Sequence, residues 1–311
     1  MAEPMVPGSI AAVRAGGKRA VAAALAAIET AAGTPELAAF LDAATAEARG
    51  DTLGLTGPPG VGKSTLTNAL VSAWRKAGET VGVIAVDPSS RRTGGALLGD
   101  RARISTDPAD RGVFVRSMAA RDRLGGLSDQ TVAAMVVMRA VYDHVLIESV
   151  GIGQSEADVA MVADTVVLCI QPGSGDSLQF MKAGVMELPD VIVVTKADMG
   201  APAQRAKADV EGALTLVARE AGGWTAPVVL VSSTTGEGLD ALAAAIAGHG
   251  AHLAEGRRAA RRAAQQRHWV EEALRTRFGH RGLAAVASRI DGGNPFASEH
   301  ALARDLSARL G

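Results

Sequence analysis

Residues 57–64 form the strongest chemical pattern of the chain, a glycine-rich loop that ends in lysine and serine. They read Gly57, Pro58, Pro59, Gly60, Val61, Gly62, Lys63 and Ser64, a full match to G-x-x-x-x-G-K-[ST]. An apolar run precedes the loop and a helical pattern that begins at Thr65 follows it, as this motif requires. Its backbone N–H groups can curl around phosphates at a helix N-terminus. The pattern predicts a nucleoside triphosphate site, with Lys63 on the β- and γ-phosphates and Ser64 on Mg²⁺.

Acidic residues stand where predicted strands end. Asp87 follows the apolar run 81–86, Glu148 ends the run 144–148, and Asp100 closes a glycine-rich segment. Residues at the carboxyl ends of parallel strands line the ligand crevice, and carboxylate oxygens suit Mg²⁺. We expect a first switch around Asp87 and Asp100, and a second around Glu148 and Gly151, whose N–H would sense the γ-phosphate. Taken alone, Asp87 before proline is also a turn signal, and Asp100 is equally a plain loop residue.

A base-recognition pattern follows a later strand. Thr195, Lys196 and Asp198 fit [NT]-K-x-D, with Lys196 expected along the base plane. The carboxylate of Asp198 can accept from both the ring N–H and the 2-amine of guanine, whereas adenine has no 2-amine. Three residues after the last predicted strand are placed to offer backbone N–H groups to the guanine carbonyl, although an ordinary loop fits them equally: Ser232, Ser233 and Thr234. The pattern predicts GTP and GDP as the bound nucleotides.

The elements that must position these residues alternate between β-rich runs and helical patterns. This alternation predicts an α/β fold with a mostly parallel central sheet flanked by helices. The expected strands are 53–56, 81–86, 113–116, 144–148, 165–170, 191–195 and 228–232. We expect three regions: N-terminal helices over 1–50, the nucleotide domain over 51–250, and a C-terminal helical arm over 251–311.

The C-terminal arm carries an apolar stripe. Val270, Leu274 and Phe278 are spaced four apart within 257–281, a segment with eight arginines and two acids. The spacing places them on one helical face, which something apolar must cover. We expect a homodimer through this stripe; the alternative is an arm folded onto its own domain. After a breaker at 291–295, the last helix is expected to begin near Ser298 as its N-cap.

Composition excludes some partners. The net charge of −1, from 32 basic and 33 acidic residues, argues against a nucleic-acid partner. No run approaches the roughly 18 apolar residues of a membrane span. The single cysteine, Cys169, lies in an apolar run and is expected in a buried strand, which fits a reducing, cytoplasmic location. His249 and His252 are expected in a glycine-rich turn, with no metal role.

The chain resembles the MeaB/ArgK family of P-loop GTPases, chaperones of adenosylcobalamin-dependent acyl-CoA mutases. The matching segments are 57–64, 85–95, 98–100, 148–156, 172–176 and 195–198. The resemblance implies that Asp87, Asp100 and Glu148 surround Mg²⁺. It further implies that 172–182 form a third switch that signals to the mutase, with Asp176 and Lys182 as its polar residues. The resemblance also implies that adenosylcobalamin is bound by the partner mutase and reaches this chain only through that partner.

The chain departs from the family pattern at three positions, and two of these departures lead to predictions. Thr195 stands where the family usually has an asparagine. That asparagine ties the base-recognition segment 195–198, here called the base loop, to the phosphate loop 57–64, so we expect weaker guanine affinity. Ser149 replaces a threonine, a minor change. Ser177 stands where an acid often follows the third-switch aspartate, so the partner is either methylmalonyl-CoA mutase or a related mutase for a branched or hydroxylated acyl-CoA.

The expected activity is hydrolysis of GTP to GDP and phosphate, slow alone and faster with the partner. Ile152 occupies the position after the switch glycine, where many GTPases carry a water-orienting glutamine, and Gln154 lies two residues beyond. The alternative is a small-molecule kinase, which would need neither guanine selection nor a γ-phosphate sensor. A nickel-inserting GTPase would need Cys or His clusters, and the chain has one Cys and six His.

Overall fold

The computed structural model describes residues 5–87, 104, 107, 109–119, 127–149, 155–173, 189–215 and 223–310. The chain divides into two compact units. The helical unit contains Met1–Gly50, Asp129–Asp143 and Arg258–Gly311, and the sheet unit contains Asp51–Ser128 and His144–Arg257. Residues 129–143, which the sequence analysis had assigned to the nucleotide region, thus group with the two terminal segments.

The sheet unit is built on seven parallel strands, which confirms the predicted α/β fold. The strands are β1 (Asp51–Thr56), β2 (Val81–Asp87), β3 (Val113–Ala119), β4 (His144–Glu148), β5 (Thr165–Ile170), β6 (Val191–Thr195) and β7 (Val228–Val231). Their order across the sheet is β3-β2-β4-β1-β5-β6-β7. Every neighbouring pair is parallel, so all carboxyl ends lie at one edge. The strands β4, β5 and β6 have the bounds that the sequence predicted.

Apolar strands and close helix packing form the core of this unit. Its helices are α3 (Lys63–Lys76), α5 (Ser155–Ala160), α6 (Ala201–Leu214) and α7 (Leu239–His252). The strands β5 and β6 are buried at every residue, as expected for central parallel strands. In β1, a Cβ at Gly54 would lie 2.1 Å from Val159 Cγ1, so glycine allows α5 to pack directly on the strand. The central strand that carries the phosphate-binding loop is therefore fixed from the side.

The helical unit contains α1 (Ile10–Thr30), α2 (Pro35–Ala46), α4 (Asp129–Val141), α8 (Arg257–Val286) and α9 (Pro295–Leu310). Helices at both termini were predicted, and the structure confirms them. Within the described residues, no helix is both long and apolar enough to cross a membrane.

The apolar stripe of α8 is buried inside its own chain. Val270 and Leu274 are 2% and 1% exposed and pack in one cluster with Leu302 and Leu306 of α9, with Phe278 beside them. The expectation that this stripe forms a dimer interface is therefore wrong, and the alternative of an arm folded on its own chain holds for these residues. A homodimer stays a prediction, without this stripe as its interface.

The last helix begins at Pro295 and not near Ser298. Pro295 fits the first helical turn because its missing N–H would have no intrahelical partner there. The next two N–H groups, of Phe296 and Ala297, donate to the carboxylate of Asp42 on α2, at 3.0 and 2.9 Å. Burial raises the pKa of Asp42, although these two hydrogen bonds oppose the shift. The cap thus comes from a residue distant in sequence, which local capping rules could not reveal.

Candidate nucleotide-binding site

The glycine-rich loop joins β1 to α3 and packs closely on β5. Gly57 has a φ of 134°, and a Cβ there would lie 2.2 Å from the carbonyl oxygen of Cys169. Gly62, with a φ of 105°, is the N-cap that precedes the first residue of α3, Lys63. Because the loop ends at a helix N-terminus, the helix dipole and the free N–H groups of the first helical turn favour an anion there.

Lys63 lies inside this loop. Its side chain is buried, and Nζ donates to the carbonyl oxygens of Gly57 and Pro58 at 2.7 and 3.0 Å. These bonds hold the loop around the ammonium group. The positive charge therefore lies within the loop that the sequence predicts to bind the β- and γ-phosphates.

The carboxylate of Glu148 joins the end of β4 to the first turn of α3. Ser64 Oγ donates to Glu148 Oε1 at 2.6 Å, and Thr67 Oγ1 donates to Glu148 Oε2 at 3.0 Å. A hydroxyl and a carboxylate at this separation supply the oxygen ligands that Mg²⁺ prefers, so the donor set fits this ion. Thr67 was not predicted as a site residue, although its place one helical turn after Ser64 could have indicated it.

Other predicted switch residues are only partly covered by the structure. Asp87 is the last residue of β2. Ala85 of the same strand pairs with Glu148 of β4, so the backbone of Asp87 lies at the same carboxyl edge of the sheet as Glu148. Asp100, Gly151, Asp176 and Lys182 lie outside the described residues, and their roles stay predictions.

Thr195 ties the base loop to the phosphate loop. It is buried at the end of β6, and its hydroxyl lies 2.7 Å from the carbonyl oxygen of Val61 and 3.0 Å from that of Ile170. The hydroxyl has a single proton, which it shares between the two acceptors. Threonine was expected to lower the guanine affinity because it replaces the asparagine that usually makes this tie. The threonine hydroxyl makes the contact between the two loops, and the lower affinity stays a prediction.

The next residues present the predicted base-binding carboxylate to solvent. Lys196 has a left-handed φ of 56°, and Nζ donates to Gln171 Oε1 at 2.6 Å. Asp198 is exposed in the 3₁₀ turn Ala197–Met199. Among the residues described, it has no hydrogen-bond donor, so both its oxygens can accept from a base. Gln171 was missed, although it directly follows β5 at the same edge.

The loop after β7 offers fewer donors than the sequence predicted. The N–H of Ser232 already donates to the carbonyl oxygen of Glu237 at 2.9 Å. The N–H groups of Ser233 and Thr234 have no acceptor within the described part of the chain. These two amides are the candidates for contact with the guanine carbonyl oxygen.

His249 and His252 lie in the helix α7 and not in the expected turn, and their contacts are with structural residues. His249 is buried, with Nδ1 2.8 Å from Thr165 Oγ1 and Nε2 3.2 Å from Asp190 Oδ1, and the ring of His252 packs near it. Within the described ranges, no group of three or more His, Cys, Asp or Glu residues could hold a metal ion. Cys169 is fully buried, which raises the pKa of its thiol to about 12.

Removing the Thr195 hydroxyl tests the tie between the two loops. We expect Thr195→Val to lower nucleotide affinity roughly 5- to 30-fold, because it leaves the buried carbonyl of Val61 without its donor at a cost of about 1–2 kcal/mol. Thr52→Val is the matched control, since Thr52 is equally buried on β1 and its Oγ1 has no hydrogen-bond partner in the described structure. Titration with a fluorescent GDP analogue measures both. Equal nucleotide affinities in the two variants would show that the hydrogen bond from Thr195 to Val61 does not contribute to nucleotide binding.

The phosphate loop, the acid at the end of the adjacent strand and the base loop at the same sheet edge define a P-loop nucleotide-binding protein. The chain belongs to the family described as methylmalonyl-CoA mutase-associated GTPase MeaB, whose family model matches residues 21–286.

Relatives with known names agree with this assignment. A Pyrococcus horikoshii protein named as a GTPase is 45% identical over 226 residues, which are 72% of this chain and 70% of that protein. The mitochondrial methylmalonic aciduria type A homolog of Mus musculus is 40% identical over 190 residues, 60% of this chain and 46% of that protein. The crystal structure of a LAO/AO transport system kinase superposes with a TM-score of 0.70 at 27% identity, and covers 100% of this chain and 99% of its own.

Proposed function

We propose that this GTPase uses GTP binding and hydrolysis to gate delivery of adenosylcobalamin to a partner acyl-CoA mutase, or protection of the cofactor there. The partner would be methylmalonyl-CoA mutase or a related branched- or hydroxyacyl-CoA mutase. The main support for GTP as the nucleotide is the base loop. Thr195 fixes this loop on the phosphate loop, and Asp198 is exposed in it. Family membership and the mammalian relative, by its printed name, support a mutase partner.

The proposed hydrolysis depends on charge neutralisation and positioning. Lys63 exchanges its two carbonyl contacts for oxygens of the β- and γ-phosphates. A water attacks the γ-phosphorus in line, and the bond from phosphorus to the β–γ bridging oxygen breaks, which leaves GDP and phosphate. Asp198 and the amides of Ser233 and Thr234 hold the guanine.

The proposed magnesium ligands are the Ser64 hydroxyl and the surrounding carboxylates. Glu148 already accepts from Ser64, so it orients that hydroxyl and acts on the ion through water. Asp87 and Asp100 complete the proposed acidic group. When bound, Mg²⁺ would neutralise developing negative charge on the phosphates.

We expect the isolated protein to hydrolyse GTP slowly and the partner to accelerate the hydrolysis. Ile152 can neither donate to nor accept from the attacking water, so the chain lacks a glutamine at that position. The missing stabilisation is proposed to come from the mutase or from the third switch over 172–182, through Asp176 and Lys182. A cytoplasmic location and a homodimer belong to the same proposal.

Phosphate release with and without a purified adenosylcobalamin-dependent methylmalonyl-CoA mutase tests this function. We expect slow turnover alone and a stimulation of up to roughly 10³- to 10⁵-fold by the partner, the range seen for partner-supplied groups. Lys182→Ala should lose most of the stimulation, and Lys63→Ala should release no phosphate in either condition. Fast turnover by the isolated protein, or a rate that no mutase of this class alters, would contradict the proposal.

A further inference from the structure

The helical unit contains a cavity of about 330 Å³. All of its lining residues belong to α1, α2, α4, α8 and α9 or to the short turn between α1 and α2. Its volume is at the lower end of the range of small-molecule sites, about 300–1,000 Å³. The proposed GTPase function uses none of these residues.

One wall of the cavity is apolar. The helix α2 contributes Leu37, Ala38 and Leu41, whose spacing places them on one face. Ile28 of α1 and Ala133 of α4 continue this wall, and all five side chains are buried. A surface of this kind favours an alkyl chain, because removing CH₂ groups from water stabilises the bound state.

Two arginines also line the cavity. Arg277 of α8 and Arg304 of α9 line the cavity, and neither forms an ion pair in the described part of the chain. By contrast, Arg309, one and a half turns further along α9, binds Asp305 at 3.0 Å. Guanidinium groups that are not engaged in an ion pair are suited to the head group of an amphipathic anion, which they can bind with paired N–H donors.

Two further polar groups support an anionic head group. His300 lines the cavity, and its buried Nε2 has no hydrogen-bond partner among the residues described. A buried nitrogen without a hydrogen-bond partner is destabilising, so a ligand oxygen that accepts from it would stabilise it. Burial, and then the charge of Asp129, raise the pKa of Glu299 to about 7, against the opposing effect of Arg277. Glu299 is therefore largely uncharged below neutral pH and does not cancel the arginine charges.

We propose that this cavity binds an aliphatic monocarboxylate, with the alkyl chain on the wall formed by α1, α2 and α4 and the carboxylate between Arg277, Arg304 and His300. The ligand carries one negative charge because the two arginines are partly balanced by Asp129 and, as it ionises, by Glu299. It is small because the cavity volume excludes a long acyl chain or a coenzyme A ester.

Calorimetric titration of the full chain with octanoate, octan-1-ol and octylamine tests the ligand class. We expect octanoate to bind at least about tenfold more tightly than octan-1-ol, a difference of about 1.4 kcal/mol. Octylamine should not bind detectably. Equal affinities for octanoate and octan-1-ol would show that the cavity binds only the alkyl chain and does not recognise a carboxylate, which would overturn the proposal. Preference for octylamine, or no binding of octanoate at millimolar concentration, would equally overturn the proposal.

Two variants locate the binding. Arg304→Glu, at an exposed position, should weaken octanoate roughly five- to tenfold and leave octan-1-ol unchanged. Arg205→Glu on α6 is the matched control, with the same charge change outside this unit. Ala38→Leu should fill the cavity and abolish binding of both compounds, with circular dichroism as the check of folding. Unaltered octanoate binding in Arg304→Glu would place the ligand elsewhere and overturn the assignment.

The pH dependence gives a second readout. Asp129, Arg277, His300 and Arg304 share the cavity with Glu299, and the lining residues of α1 and α2 carry no charge. Ionisation of Glu299 above about pH 7 adds negative charge beside the ligand, so octanoate affinity should fall as pH rises from 6 to 8. Glu299→Gln should remove most of this fall. An affinity that rises with pH, or a fall unchanged in Glu299→Gln, would overturn the arrangement proposed here.

Discussion

Asp198→Asn is expected to lower GTP affinity roughly 30- to 1,000-fold, because it removes a two-point contact of about 2–4 kcal/mol. The same substitution should raise the affinity for xanthosine nucleotides. Xanthine carries a carbonyl oxygen where guanine has its 2-amine, and the side-chain amide that the substitution introduces can donate to that oxygen. The exposed position of Asp198, with no donor among the described residues, leaves its carboxylate available for this exchange.

Competition of GTP, ATP and XTP against a fluorescent GDP analogue measures this change. Asp209→Asn on α6 is the matched control, since it removes the same charge from an exposed position of the same unit. We expect that variant to keep the affinity for GTP. Hydrolysis of ATP and GTP at equal rates by the unaltered protein, or unchanged GTP affinity in Asp198→Asn, would contradict the guanine assignment.

The sequence predicted the features that depend on short segments. The phosphate loop is a contiguous motif, and β4, β5 and β6 are apolar runs whose limits are visible in the chain. Because parallel strands share one carboxyl edge, the motifs at their ends could be placed together without coordinates. Glu148, Thr195 and Asp198 all lie at strand ends or directly after them, as expected.

Contacts between distant segments could not be predicted in the same way. The stripe of Val270 and Leu274 was visible from its spacing, but nothing in the sequence states that α9 covers it. The cap of α9 comes from Asp42, more than 250 residues earlier. The hydroxyl of Thr195 reaches Val61, 134 residues away, which the residue type alone did not suggest. In each case the partner is chosen by tertiary packing, so only coordinates identify it.

Gly57→Ala is expected to destabilise the sheet unit by roughly 3–5 kcal/mol and to abolish measurable nucleotide binding. The added Cβ would lie 2.2 Å from the carbonyl oxygen and 3.1 Å from the carbonyl carbon of Cys169. Both atoms belong to the backbone of the buried strand β5, so no side-chain rotation can relieve the overlap. The φ of 134° adds strain for any residue with a side chain. The loop must therefore leave β5, and the carbonyl groups that position Lys63 move with it.

Gly60→Ala separates steric overlap from backbone strain. Gly60 lies in the same loop with a φ of 75°, but a Cβ there meets no atom within 4 Å. This variant should lose only about 1–2 kcal/mol, the cost of a left-handed conformation. Urea denaturation of both variants, with affinity for a fluorescent GDP analogue as the second measurement, compares them directly. A loss of stability in Gly57→Ala no larger than in Gly60→Ala would mean that the first glycine of the loop does not pack on β5, and the placement of Lys63 by that contact would fail with it.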